Sequence, residues 1–130
     1  MLLSLAISGC VTTRNSAEPL GVKVGDPLLL RTAAAVTACQ AWQSTAAMWF
    51  SSPPAAHCLS QFSDESDAQS SSAFPVGTRF NVVRIRYSNQ FDEAHFLVYV
   101  VAAGASAQDQ LLVRDYEFAK LFRVAQANEP

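Results

Sequence analysis

The stretch Phe80-Asn81-Val82-Val83-Arg84-Ile85-Arg86-Tyr87 decides how this chain is read. It is dense in β-branched and aromatic residues, which suit a pleated, half-buried surface. It predicts a strand. Side chains of a strand alternate between two faces, and here the alternation slips. Phe80 and Val82 fall on one face, whereas Val83, Ile85 and Tyr87 fall on the other. A bulge, or a strand changing sheets at 82–83, accounts for such a slip. Arg84 and Arg86 are two apart and therefore share a face.

Elements of the same kind follow on either side. Ser88 to Glu93 reads as a polar hairpin loop, and His95 to Ala102 returns as a strand that is apolar on both faces. Gly104 to Asp109 is a turn and Gln110 to Arg114 another strand. Asp115-Tyr116-Glu117-Phe118 predicts a short helical turn with Asp115 as N-cap. Leu121 to Val124 ends the fold, with 126–130 as a tail. Upstream, Pro75-Val76-Gly77-Thr78 is a turn. The insertion 63–73 has three acids and no large apolar residue, so it reads as a solvated loop. Its Asp64, Glu65 and Asp67 lack the spacing of a calcium loop.

The first half is more ambiguous. Gly25-Asp26-Pro27 marks a turn, followed by a strand from Leu28 to about Thr32 and an extended piece from Ala35 to Ala41. An Ala-rich helix over 31–47 competes with that reading, because alanine has the highest helix propensity. Against it stand the β-branched Val36 and Thr37. Pro53-Pro54 stops any regular element. Trp42, Trp49 and Phe50 either cover one end of a small core or form an exposed aromatic surface for binding.

At 130 residues the chain has room for one domain. Nine basic against 11 acidic residues leave a net charge of −2, without the basic excess of a nucleic-acid binder. Charged residues make up only 15% and hydrophobic ones 50%, which excludes a disordered chain. No run of 18 apolar residues exists to form a membrane-spanning helix.

Met1 to Gly9 is apolar and ends on small residues before Cys10. The tetrapeptide Ile7-Ser8-Gly9-Cys10 resembles the lipobox of bacterial lipoproteins. That resemblance implies that 1–9 is a signal peptide, here without the usual basic front and so read as truncated. It further implies that Cys10 becomes the acylated first residue and that 10–20 tethers the domain to a membrane. Two or three acyl chains hold stably where one does not. Val11 stands where Asp would imply retention in the inner membrane, so the resemblance points to the periplasmic face of the outer membrane, with the inner membrane as the alternative. The competing reading makes 1–9 a buried strand, Cys10 a core thiol and 11–19 an edge strand.

Three cysteines are an odd number for an exported chain. With Cys10 assigned to lipid, Cys39 and Cys58 remain as a pair for an oxidising compartment. Closing the loop 39–58 would contribute about 3 kcal/mol. A metal site from Cys39, His57, Cys58 and His95 lacks the close ligand spacing that structural zinc favours. No metal and no cofactor is expected.

Evenly spaced strands and polar turns point to an all-β fold in one domain over 21–125. The run from Pro75 to Val124 has a turn, a long bent strand, a hairpin partner, a third strand, a helical turn and a last short strand. It resembles the SH3-like barrels of bacterial periplasmic proteins, with the Leu28–Cys39 segment as the opening strands.

No catalytic set emerges. Asp92, Glu93 and His95 lie close in sequence, and a small hydrolase built on His95 and Asp92 is one hypothesis. No G-x-S-x-G elbow or phosphate-cradling glycine loop accompanies them. The expectation is therefore a non-catalytic envelope lipoprotein. Its barrel would bind another envelope protein or the cell wall. Arg84, Arg86, Trp42, Trp49 and Phe50 are the candidate surface. An inhibitor or immunity lipoprotein, blocking a toxin or lysozyme-like hydrolase with the 43–57 or 88–94 loop, is the alternative.

Overall fold

A turn anchored on a single glycine launches the central strand. Gly77 takes φ +91°, a conformation that side-chain-bearing residues rarely adopt, and its N–H donates to the Leu30 carbonyl at 2.9 Å. The Thr78 hydroxyl donates to the Pro75 carbonyl at 2.7 Å. The strand that follows runs from Arg79 to Ser88.

The computed structural model describes residues 11–38, 57–61, 73–88 and 94–126. In chain order these form β1 (Val11–Arg14), β2 (Ser16–Ala17), a 3-10 turn (Glu18–Leu20), β3 (Val22–Lys23), β4 (Pro27–Leu30) and β5 (Ala34–Ala38). β6 (His57–Gln61), β7 (Ala73–Phe74), β8 (Arg79–Ser88), β9 (His95–Ala102) and β10 (Leu111–Arg114) follow. Helix α1 (Asp115–Leu121) and β11 (Phe122–Val124) complete the chain.

Among the described residues the fold is all-β with one short helix. The main sheet has the order β11-β4-β8-β9-β10-β6-β5-β7, with β1 also paired to β8. β2 and β3 form a separate small ribbon. Strands β4, β8, β9, β10 and β11, counted one to five, lie in the order 5-1-2-3-4. That is a meander whose last strand returns beside the first. β5, β6 and β7 are inserted between the first two of these strands and widen the sheet beyond β10, where β6 runs parallel to its neighbour.

The sheet curls into a half-barrel. Phe80 on β8 meets Phe74 of β7 edge-on at 5.1 Å and Phe122 of β11 at 5.2 Å. β7 and β11 stand at opposite ends of the strand order, so these rings draw the two ends together. Leu28, Leu30, Leu59, Phe80, Val82, Ile85, Val98, Val100, Val113 and Leu121 fill the concave side.

The predicted slip in β8 is a bulge. Val82 pairs with Val100 and Arg84 with Tyr99, so Val83 is the extra residue. The insertion returns Ile85 to the concave face of Phe80 and Val82, where all three are buried. The turn before β4 clamps this point. Gly25 N–H donates to the Val82 carbonyl at 2.8 Å, and Val82 N–H to the Asp26 carbonyl at 3.0 Å.

Several expectations are corrected. Residues 11–14, read as free tether, form β1, with Val11 opposite Ser88 and Arg14 opposite Ile85. Polar side chains suit an edge strand as well as a linker, and pairing to β8 decides between them. Ala34–Ala38 is strand, not the start of a helix over 31–47. Val36 lies opposite Leu59 and Thr37 opposite Cys58, and that pairing outweighs alanine's helix propensity. β6, within a stretch read as irregular, is a strand; its short mixed sequence carries no alternation to announce it. Helix α1 is longer than the single turn expected, and its N-cap is Arg114 rather than Asp115. Asp115 is drawn instead to β9, as described next. Most of the acidic insertion, the tail from 127, and residues 39–47 of the competing helix lie outside the described residues.

Candidate binding face

The convex side of the sheet holds a second, smaller buried group: Cys58, Leu97, Tyr99 and Leu112, with Val83 against it. Register explains it. Arg84 lies opposite Tyr99, Tyr99 opposite Leu112, and Leu112 opposite Cys58. One row across four strands therefore reads Arg84–Tyr99–Leu112–Cys58. The row beside it reads Arg86–Leu97–Arg114. Residues directly opposite on neighbouring strands share a face, so the bulge at Val83 sets both arginines on the convex side.

The Arg84 guanidinium carbon lies 4.4 Å from the centre of the Tyr99 ring, an attractive cation–π placement. One of its terminal nitrogens donates to Gln110 Oε1 at 3.5 Å. Burial pushes the Tyr99 phenol up, while Arg86 and Arg84 pull it the other way. The net shift is upward, so the hydroxyl stays neutral at physiological pH. Tyr99 is 0% exposed, and its hydroxyl has no well-aligned hydrogen-bond partner among the described residues. The Nε atoms of Arg84 and Arg86 are buried without a partner as well. Among the described residues neither arginine forms an ion pair with a carboxylate. Arg114 is turned aside, its guanidinium donating to the Tyr116 hydroxyl.

His95 is placed with a different acid from the one its sequence neighbours suggest. Its Nδ1 lies 3.4 Å from Asp115 Oδ1, and Asp115 Oδ2 accepts the Phe96 backbone N–H at 2.9 Å. The carboxylate thus ties the start of β9 to the start of α1. A cleft elsewhere is lined by Arg14, Asn15, Ser16, Glu18, Pro19 and Phe96, and contains no histidine. Among the described residues no three His, Cys, Asp or Glu side chains gather as a metal site needs. No helix among them is long and apolar enough to cross a membrane.

Of the predicted site residues, Arg84 and Arg86 are brought together and Cys58 lies in the adjoining apolar group. Cys10, Cys39, Trp42, Trp49, Phe50, Asp92 and Glu93 lie outside the described residues, as does most of the 43–57 and 88–94 loops. Tyr99 was not a candidate. Its signal is a tyrosine inside a strand apolar on both faces, opposite an arginine-bearing strand. No known protein family, no curated protein and no solved structure matches the chain.

Proposed function

We propose that the protein is a non-catalytic lipoprotein of the bacterial envelope, anchored through Cys10 at the periplasmic face of the outer membrane. Its half-barrel binds another envelope protein or the cell wall. The observation that carries the binding reading is the Arg84–Arg86 pair, set on a strand bonded to neighbours on both edges and not consumed by acids of its own sheet. A surface salt bridge would have neutralised such a pair; without one, its positive charge is left for a partner to balance.

The anchor rests on the resemblance of Ile7-Ser8-Gly9-Cys10 to a lipobox. An acylated Cys10 would hold the domain close to the bilayer, because Val11 already pairs with Ser88. The Cys39–Cys58 bridge belongs to the same reading. It is supported by the pairing of Ala38, the residue before Cys39, with His57, the residue before Cys58.

Metabolic labelling with an alkyne fatty acid tests the anchor: label on the wild type and none on Cys10→Ser is expected. Affinity capture from solubilised envelopes tests the binding. The wild type should retain a partner that the double variant Arg84→Gln/Arg86→Gln loses. Equal capture by both would refute the role of this face.

A further inference from the structure

Deepening the binding reading above, we infer that Arg84, Arg86 and Tyr99 form a receptor for a carboxylate presented by an acidic peptide segment of the partner. The chemistry of the unsatisfied atoms selects the ligand. Both guanidiniums are donors only, and the phenol, kept neutral by its surroundings, has a proton to give. Three buried donor groups converge with little to accept from them: Gln110 Oε1 sits at the long distance of 3.5 Å from Arg84, and the Tyr99 oxygen, which faces Arg86, makes no well-aligned bond with it. Buried polar atoms in folded proteins are nearly always paired, so such a cluster calls for an occupant. An occupant that supplies acceptors and negative charge meets all three.

The surroundings favour a carboxylate over a phosphate surface. The planar guanidinium fork matches a carboxylate in two parallel bonds. A polyphosphate normally meets a broad basic patch, whereas this chain carries net charge −2 and the site is flanked by Leu97, Leu112 and Cys58. Apolar flanks suit an acidic side chain carried among apolar ones, and they lower the local dielectric around the ion pair. The stacking of Arg84 on Tyr99 holds one fork in place before the ligand arrives.

The test is an NMR titration of the full chain, following the Nε–Hε signals of Arg84 and Arg86. Sodium acetate is added against sodium chloride at matched ionic strength, with sodium phosphate as a third arm. Saturable shifts of both signals with acetate through the millimolar range are expected, together with about tenfold weaker binding in Tyr99→Phe, which keeps the ring and removes one donor. A synthetic peptide with one glutamate among apolar residues should bind more tightly than acetate, and its glutamine counterpart should not bind. Shifts equal in chloride and acetate, or no loss in Tyr99→Phe, would overturn the site. Stronger binding of phosphate than of acetate would overturn the choice of carboxylate. The envelope capture is read separately: its failure beside a positive acetate titration removes the envelope partner and leaves the site standing.

Discussion

The two faces of one sheet do different work here. On the concave side, rings and branched aliphatics close over one another. On the convex side, four apolar residues share the surface with two arginines and a tyrosine whose buried donors have no adequate acceptor. The first arrangement gains stability from every group it buries. The second gives some up, because an unpaired buried donor costs about 1–3 kcal/mol. A protein that tolerates that cost on one face only has its rigid frame on the other.

The contrast can be tested at graded strength. Phe80→Ala removes the ring on which both ends of the sheet converge, and should cost about 3–5 kcal/mol in denaturant unfolding. A loss under about 1 kcal/mol would mean that the concave face is not the frame. Cys39→Ser should cost about 3 kcal/mol in the oxidised protein and nothing once reductant is present. Equal melting of wild type and variant without reductant would remove the bridge.

Asp115→Ala should cost about 1–2 kcal/mol, allowing for partial solvent screening of a charge-assisted bond to the Phe96 N–H. His95→Ala should cost much less, and a reversal of that order would show that the histidine, not the backbone donor, holds Asp115 in place. Tyr99→Phe is expected to stabilise the free protein by about 1 kcal/mol, since it deletes an unpaired hydroxyl and keeps the ring. Destabilisation instead would show that the hydroxyl is satisfied in the free protein.

The same tyrosine makes a pH prediction. Its phenol is raised above the ordinary value of 10.0, chiefly by burial. On raising the pH the unfolded chain loses this proton first. Stability is therefore level below about pH 10 as far as this group is concerned, and falls as the pH rises through its folded value. Unfolding curves at alkaline pH should show that decline, and Tyr99→Phe should flatten it.

Much of the architecture was legible because the signals were local. Alternation in 80–87 predicted the strand and a slip at 82–83, left open between a bulge and a change of sheet, and turn residues marked the hairpins. β6 was not legible. His57–Gln61 has no periodicity of its own and becomes a strand by pairing with β5 on one edge and β10 on the other. β1 was only the competing reading of 11–19 for a similar reason, since a polar stretch becomes an edge strand only when another strand offers it an open side.

The candidate face divides in the same way. A spacing of two within a strand is enough to place Arg84 and Arg86 together, because side-chain alternation is a property of the extended backbone itself. It says nothing about what lies across the strand. The pairing of Arg84 with Tyr99 depends on a hairpin register offset by one bulged residue. His95 illustrates the same point, for it meets Asp115 from a distant helix rather than the acids beside it in the chain. Composition and alternation, being local, specified strands and faces. Register and the convergence of distant residues had to wait for the folded sheet, because hydrogen-bond pairing between segments far apart in the chain is what sets them.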